Sequence, residues 1–248
     1  MCHKPEIVSI AAAFLFVFSI SFSQDTSQNS SGSFSEIFAA TTEKYGINQQ
    51  LANGAYFEDI YRGAKGHPYL LEDQFTRGTV TFYGKEYQDV SLKYDLYGQQ
   101  LLIAHQEDDM VFTTVLTKEL TAAFSIHGLC FRKLALIEDE PSFYQVVAEE
   151  EALRCYYAWY RTRHESIGDN ENRLYSFTED QQRRYLAVDR EVFRYFNNWT
   201  FVRIFDRSLR GAIRSHLRQN DLKIQKATDE QVREVIRFIT QLIHPYDL

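Results

Sequence analysis

Between residues 69 and 190 the hydrophobic positions recur every second residue. Val90, Leu92, Tyr94 and Leu96 alternate with Ser91, Lys93 and Asp95, and Val80 and Phe82 alternate with Thr79 and Thr81. Leu101 and Ile103 resume the pattern after Gly98. Further β-rich runs cover 111–116, 122–136, 152–163, 174–177 and 184–188. Turn-like or acidic clusters separate them: Gly84-Lys85, Glu107-Asp108-Asp109, Glu138-Asp139-Glu140-Pro141, Glu149-Glu150-Glu151, a polar loop at 168–172, and Glu179-Asp180. Short strands spaced about 8–12 residues apart predict an antiparallel meander. The gaps leave no room for crossover helices, which excludes a parallel sheet. A curved sheet, a sandwich and a half-barrel all fit the pattern.

Beyond residue 190 the period lengthens. Phe201, Ile204, Phe205, Leu209, Ala212 and Ile213 predict an amphipathic helix that ends near Asn220. Thr228 and Gln231 form a capping-box pattern ahead of a second stripe from Val232 to Ile243, and Pro245 marks its end. Strands first and helices afterwards define an α+β domain, with two C-terminal helices on one face or end of the sheet. The expected domain spans 34–248, β-rich over 69–190 and helical over 191–244.

The N-terminus reads differently. Lys4 precedes an apolar run at 7–22, followed by small residues at Ser21 and Ser23. This is the pattern of a cleavable signal peptide over 1–23. The run is about 16 residues, short of the roughly 20 that span a bilayer. A polar, Ser-rich leader at 24–33 follows, with the composition of a disordered segment. Export places Cys130 and Cys155 in an oxidising compartment, where they either form a disulfide or remain as buried thiols.

Composition narrows the function. The 248-residue chain carries a net charge of −7 and a pI near 5.5, which argues against nucleic-acid binding. Phosphate-binding glycine loops, a Gly-x-Ser-x-Gly elbow, His-Glu-x-x-His and Cys-x-x-Cys are all missing from the sequence. His105 with Glu107, Asp108 and Asp109 reads as a solvated turn rather than a metal cluster. No catalytic residue, metal site or cofactor is expected. Tyr157 and Trp159 fall on one side of an aromatic strand, as core or as the lining of an apolar-ligand cavity; Tyr156 and Tyr160 fall on the other. The most organised polar feature is a ridge of Arg203, Arg207, Arg210, Arg214 and Arg218, spaced so that a continuous helix gathers them on one face. Such a ridge is either a solvated face or a docking strip for an acidic protein surface or anionic lipid.

Several short motifs occur in order. They are Asn53-Gly54-x-Tyr56, Gly66-His67-Pro68-Tyr69, Gly78-x-Val80-x-Phe82-x-Gly84-x-x-Tyr87, Val90-x-Leu92-x-Tyr94-Asp95, and the helical ending at 213–220. Together they resemble a type of exported protein of Bacteroidetes-type Gram-negative bacteria. The resemblance covers roughly residues 50–243 and carries no catalytic residues. It implies a periplasmic or outer-membrane-associated location and an accessory or binding role.

The leading expectation is therefore a non-catalytic periplasmic binding protein, a subunit or partner of an outer-membrane protein complex. The alternatives are a carrier of a lipid or other apolar ligand in a curved-sheet cavity, and a secreted hydrolase with dispersed carboxylates. A transmembrane protein is not expected.

Overall fold

The computed structural model describes residues 51, 54–61, 63–107, 110–136, 142–167 and 173–243. The signal segment, the Ser-rich leader, Pro245 and most of the acidic clusters at 107–109, 138–141 and 168–172 lie outside them. The strands are β1 (Ala55–Tyr56), β2 (Thr76–Phe82), β3 (Lys85–Asp95), β4 (Gln100–Glu107), β5 (Met110–Val115), β6 (Thr121–Ile126) and β7 (Leu129–Leu134). They continue with β8 (Ser142–Glu149), β9 (Leu153–Tyr160), β10 (Arg163–Ile167), β11 (Arg173–Phe177), β12 (Gln181–Val188) and β13 (Glu191–Tyr195). Three helices follow: α1 (Asn198–Arg203), α2 (Arg207–Gln219) and α3 (Asp229–Ile243). The fold is α+β, as the alternation predicts.

Eleven strands form one antiparallel sheet in the order β1-β5-β4-β3-β2-β6-β7-β8-β9-β12-β13. Its edges, β1 and β13, do not meet, so the sheet is open. Local chemistry sets the tight turns. Tyr83-Gly84 and His127-Gly128 all have positive φ and join strands paired at Phe82↔Lys85 and Ile126↔Leu129. This is the two-residue turn whose twist suits a hairpin. The chain passes from β5 to β6 through only residues 116–120, although β4, β3 and β2 intervene. In a flat sheet four strand steps alone would span about 19 Å. The connector cannot be fully extended, because Leu120 N–H and Thr121 N–H both donate to the Thr117 carbonyl in a turn. The sheet therefore curls to bring β5 and β6 within its reach, and Leu116 lies buried inside the curl with Phe124, Phe131 and Phe143.

Two cores result. The curl of β2–β7 encloses Tyr94, Phe124, Phe131 and Phe143, with Phe124 and Phe131 stacked at 4.8 Å and Tyr94 edge-on to Phe124 at 5.1 Å. The second core lies where α1–α3 cover β8, β9, β12 and β13, around Leu153, Tyr157, Leu186, Phe201, Ile213, Val235 and Ile239. Trp159 touches both cores. A polar seam runs beside it. Trp159 Nε1 donates to the buried Gln145 Oε1 (2.7 Å), and Gln145 Nε2 donates to Asp229 Oδ2 at the start of α3 (2.5 Å). The seam pins the first turn of α3 to the middle of the sheet.

The β9–β10 and β11–β12 strands form one long ribbon that bends at 161–162 and 178–180. Arg161 sits at the bend and is 7% exposed. Its Nε donates to Asp180 Oδ1 (2.6 Å) and its Nη1 to the His67 carbonyl (2.7 Å). Asp180 Oδ2 accepts the Leu71 N–H (3.1 Å). The clamp ties the incoming segment at 67–71 to the ribbon. Beyond the bend, the Arg163 guanidinium lies among the rings of Tyr61, Tyr97 and Tyr175, 5.7, 5.4 and 5.0 Å from their centroids.

The structure departs from the sequence pattern at three places. β8 lies between two acidic clusters and carries Phe143, Tyr144, Val146 and Val147 inward on both faces, so it shows no alternation. β13 extends the sheet past residue 190, and helix begins only at Asn198. The single helix predicted over 201–220 is two helices, separated at 204–206.

Removing one member of the Arg161–Asp180 pair leaves a buried charge uncompensated, which costs about 3–5 kcal/mol. Arg161→Met and Asp180→Asn are each expected to lower the urea midpoint accordingly. The double variant is expected to cost clearly less than the sum of the two, as a denaturation cycle will read.

Candidate functional site

α1 begins with a reciprocal cap. Asn197 Oδ1 accepts the Thr200 N–H (2.9 Å), and Thr200 Oγ1 accepts the Asn197 N–H (3.0 Å). The helix lasts six residues before the backbone turns at Phe205 and Asp206. The break redistributes the arginine ridge. Arg203 belongs to α1, where its guanidinium lies 4.4 Å from the Trp199 ring centroid. Arg210 turns back from α2, donating from Nε to the Phe205 carbonyl (2.7 Å) and from Nη2 to the Arg203 carbonyl (2.9 Å). It thus satisfies the orphan carbonyls at the negative end of α1. Arg210 is a structural clamp, and the break divides the five arginines, leaving Arg207, Arg214 and Arg218 exposed on α2.

Arg214 and Arg218 flank a cleft of about 390 Å³ between α1 and the end of α2. Val202 and Leu217, both buried, and the half-buried Leu222 form its apolar floor. Trp199, 62% exposed, forms a wall. Arg214, Arg218, Lys223 and a single acid, Asp221, stand around it. Among the described residues none of these three cations makes an ion pair. The walls are held rigidly. Asn198 Nδ2 donates to the Leu222 carbonyl (2.7 Å), and Asn198 Oδ1 accepts the Ile224 N–H (2.7 Å). The end of α2 is a Schellman motif: Leu222 N–H donates to the Leu217 carbonyl (2.8 Å) and Asp221 N–H to the Arg218 carbonyl (3.1 Å). Its left-handed position, φ 48°, is held by Asp221 instead of the usual glycine. The hydrophobic contact that accompanies such a motif is the Leu217–Leu222 floor.

The remaining expected site residues fall into the core. Tyr157 is buried under the helices. Trp159 is half-buried, on the same side of β9, while Tyr156 lies on the opposite face with Tyr144 and Tyr185. The Cys130–Cys155 bond does not form. β8 separates the strands that carry the two residues, which puts them about 10 Å apart, beyond disulfide reach. Cys155 is a free buried thiol, 3.3 Å from the Tyr195 hydroxyl. Burial pushes the thiol up to about 12, and the Tyr195 contact offsets part of the rise. Burial also holds the Tyr157 and Tyr195 phenols above their ordinary range. His105 stacks on Phe112 (5.8 Å); the acids Asp108 and Asp109 lie outside the described residues. Trp199 and Lys223 escape the sequence reading, because only the fold brings them beside Arg214 and Arg218. An exposed tryptophan just behind a helix cap was the available signal.

Comparison with protein families, with curated proteins and with solved structures gave no match to this chain. The class the fold and cleft define is therefore structural: an open, curled antiparallel sheet with a C-terminal helical cover. Among the described residues no helix is long and apolar enough to cross a membrane.

Two predictions come from these contacts. Arg210→Ala is expected to cost about 1–3 kcal/mol of unfolding free energy by leaving two carbonyls unpaired. Arg207→Ala, which loses no such partner, is expected to stay within about 0.5 kcal/mol. For Cys155 the protonated thiol is the form the fold favours. Its contribution is fully present below about pH 9 and is lost as pH rises toward 12. The urea midpoint is expected to fall over that range, with a shallower fall in Cys155→Ala. Alkylation mapped at Cys155 is expected only after unfolding.

Proposed function

We propose that this chain is an exported, non-catalytic binding protein of the periplasm or the outer-membrane inner face. On this reading it docks an acidic segment of an envelope protein into the α1–α2 cleft. The observation that carries the reading is the cleft itself. An apolar floor, an exposed Trp199 and three cations without an ion pair among the described residues stand together on a chain whose net charge is −7. Tryptophan and arginine are the residue types that dominate binding energy at protein interfaces. The charge of the rim selects an acidic partner and speeds its encounter. The floor selects an aromatic or aliphatic anchor within that partner. The N-terminal export pattern and the motif resemblance support the location.

The test is recovery of a partner from the native envelope by the tagged protein, compared across variants. Trp199→Ala is expected to weaken binding at least about 30-fold, the scale of a hot-spot truncation. Arg214→Glu with Arg218→Glu is expected to abolish recovery, and Arg207→Ala to leave it unchanged. Asp221→Gly removes both the strained left-handed acid and the one negative charge of the rim. It is expected to raise the melting temperature and tighten partner binding together. Equal recovery by wild type and the double charge reversal overturns the role of the cleft.

A further inference from the structure

A second cavity, of about 430 Å³, lies near the β1 edge of the sheet, away from the helices. Lys93 and Leu102, paired across β3 and β4, form part of its wall, and the segments at 56–59 and 69–75 cover it. Three observations there point to one kind of ligand.

The first is Lys93. Its side chain is 13% exposed, and its Nζ lies 4.3 Å from the Tyr69 ring centroid, 4.6 Å from the Phe75 centroid and 2.8 Å from Asp73 Oδ1. An alkylammonium is thus already held on two aromatic faces and a carboxylate, the arrangement in which a cation gains most from ring quadrupoles. The second is the balance of charge. Lys93 is committed to Asp73, while Glu58 and Asp59, both exposed to the cavity, have no cation among the described residues. The third is Tyr69. It is 3% exposed and lines the cavity, yet its hydroxyl has no hydrogen-bond partner among the described residues. Burial holds this phenol protonated, and Asp59 and Asp73 reinforce the effect from the cavity side. The ring is packed away while the residue lines the cavity, so its hydroxyl is left able to accept a hydrogen bond from a molecule bound there.

We propose that this cavity binds an organic cation, an alkylammonium or guanidinium head on an apolar stem. Glu58 and Asp59 receive the charge. The Tyr69 hydroxyl accepts one of the head's N–H groups. The stem lies along Phe75 and Leu102. The site is independent of the α1–α2 cleft. Its ligand is either a free amine or the side chain of a lysine or arginine on another protein, since both present the same head.

The test is calorimetric titration of the folded protein with cadaverine, with 1,5-pentanediol as the uncharged control, and with a short N-acetylated, C-amidated lysine peptide. Cadaverine or the lysine peptide is expected to bind saturably, and the diol is expected to give no heat. Glu58→Gln and Asp59→Asn, both at exposed positions, are each expected to weaken binding about tenfold without changing the melting temperature. Lys93→Met removes the resident charge and frees the two rings, so it is expected to tighten cation binding severalfold. Tighter binding of the peptide than of cadaverine assigns the head to a protein partner; the reverse assigns it to a free amine; each supports the site. Absence of saturable binding by both cations overturns the proposal. So does equal binding of the diol, or unchanged affinity in both carboxamide variants.

Discussion

The architecture depends on a buried guanidinium. Arg161 can leave water only if Asp180 and the His67 carbonyl are waiting for it, because an unpaired buried charge costs more than most single contacts supply. Those partners come from distant parts of the chain. Asp180 lies across the bent ribbon, and His67 belongs to the segment that enters the sheet before β2. Asp180 then fixes Leu71. One desolvated side chain thus sets the bend of β9–β12 and the path of residues 67–71. That path places Tyr69 and Asp73 over the outer face of the sheet, so part of the wall of the cavity near β1 follows from the same contact.

Strand alternation was legible wherever one face meets the core and the other meets water, as in β3 with Val90, Leu92 and Tyr94. β8 was not legible, because it is buried on both faces. Its Gln145, a polar residue in an apolar strand, makes sense only once Trp159 and Asp229 are seen on either side. The helix break was hidden for a related reason. Phe201, Phe205 and Leu209 keep helical spacing straight through it, and the break is fixed instead by Arg210 reaching back to carbonyls. The arginine spacing holds along the chain, but the helix break divides it in space. Of its five members, one caps a helix, one lies on Trp199, and two flank a cleft whose other walls are distant in sequence.

The net charge of −7 conceals an uneven distribution. Cations collect at the α1–α2 cleft, while Glu58, Asp59 and Asp73 collect at the opposite end of the sheet. Interactions across such a distance are screened at physiological salt, where the Debye length is about 8 Å. The two ends therefore act as separate electrostatic surfaces rather than as a molecular dipole.

The order of the strands also bears on how the sheet forms. Most neighbours in it are also neighbours in sequence, so hairpins such as β6–β7 and β12–β13 close short loops at small entropic cost. Three junctions do not share this advantage: β1 with β5, β2 with β6, and β9 with β12. The last is reached by zipping along the ribbon from β10–β11. The β2–β6 seam has no such route. Two separately formed meanders must find each other there, with Gly78 admitting the Ser125 backbone too closely for any larger residue. That seam pairs residues as distant in sequence as Val80 and Phe124, the kind of non-local contact that slows folding.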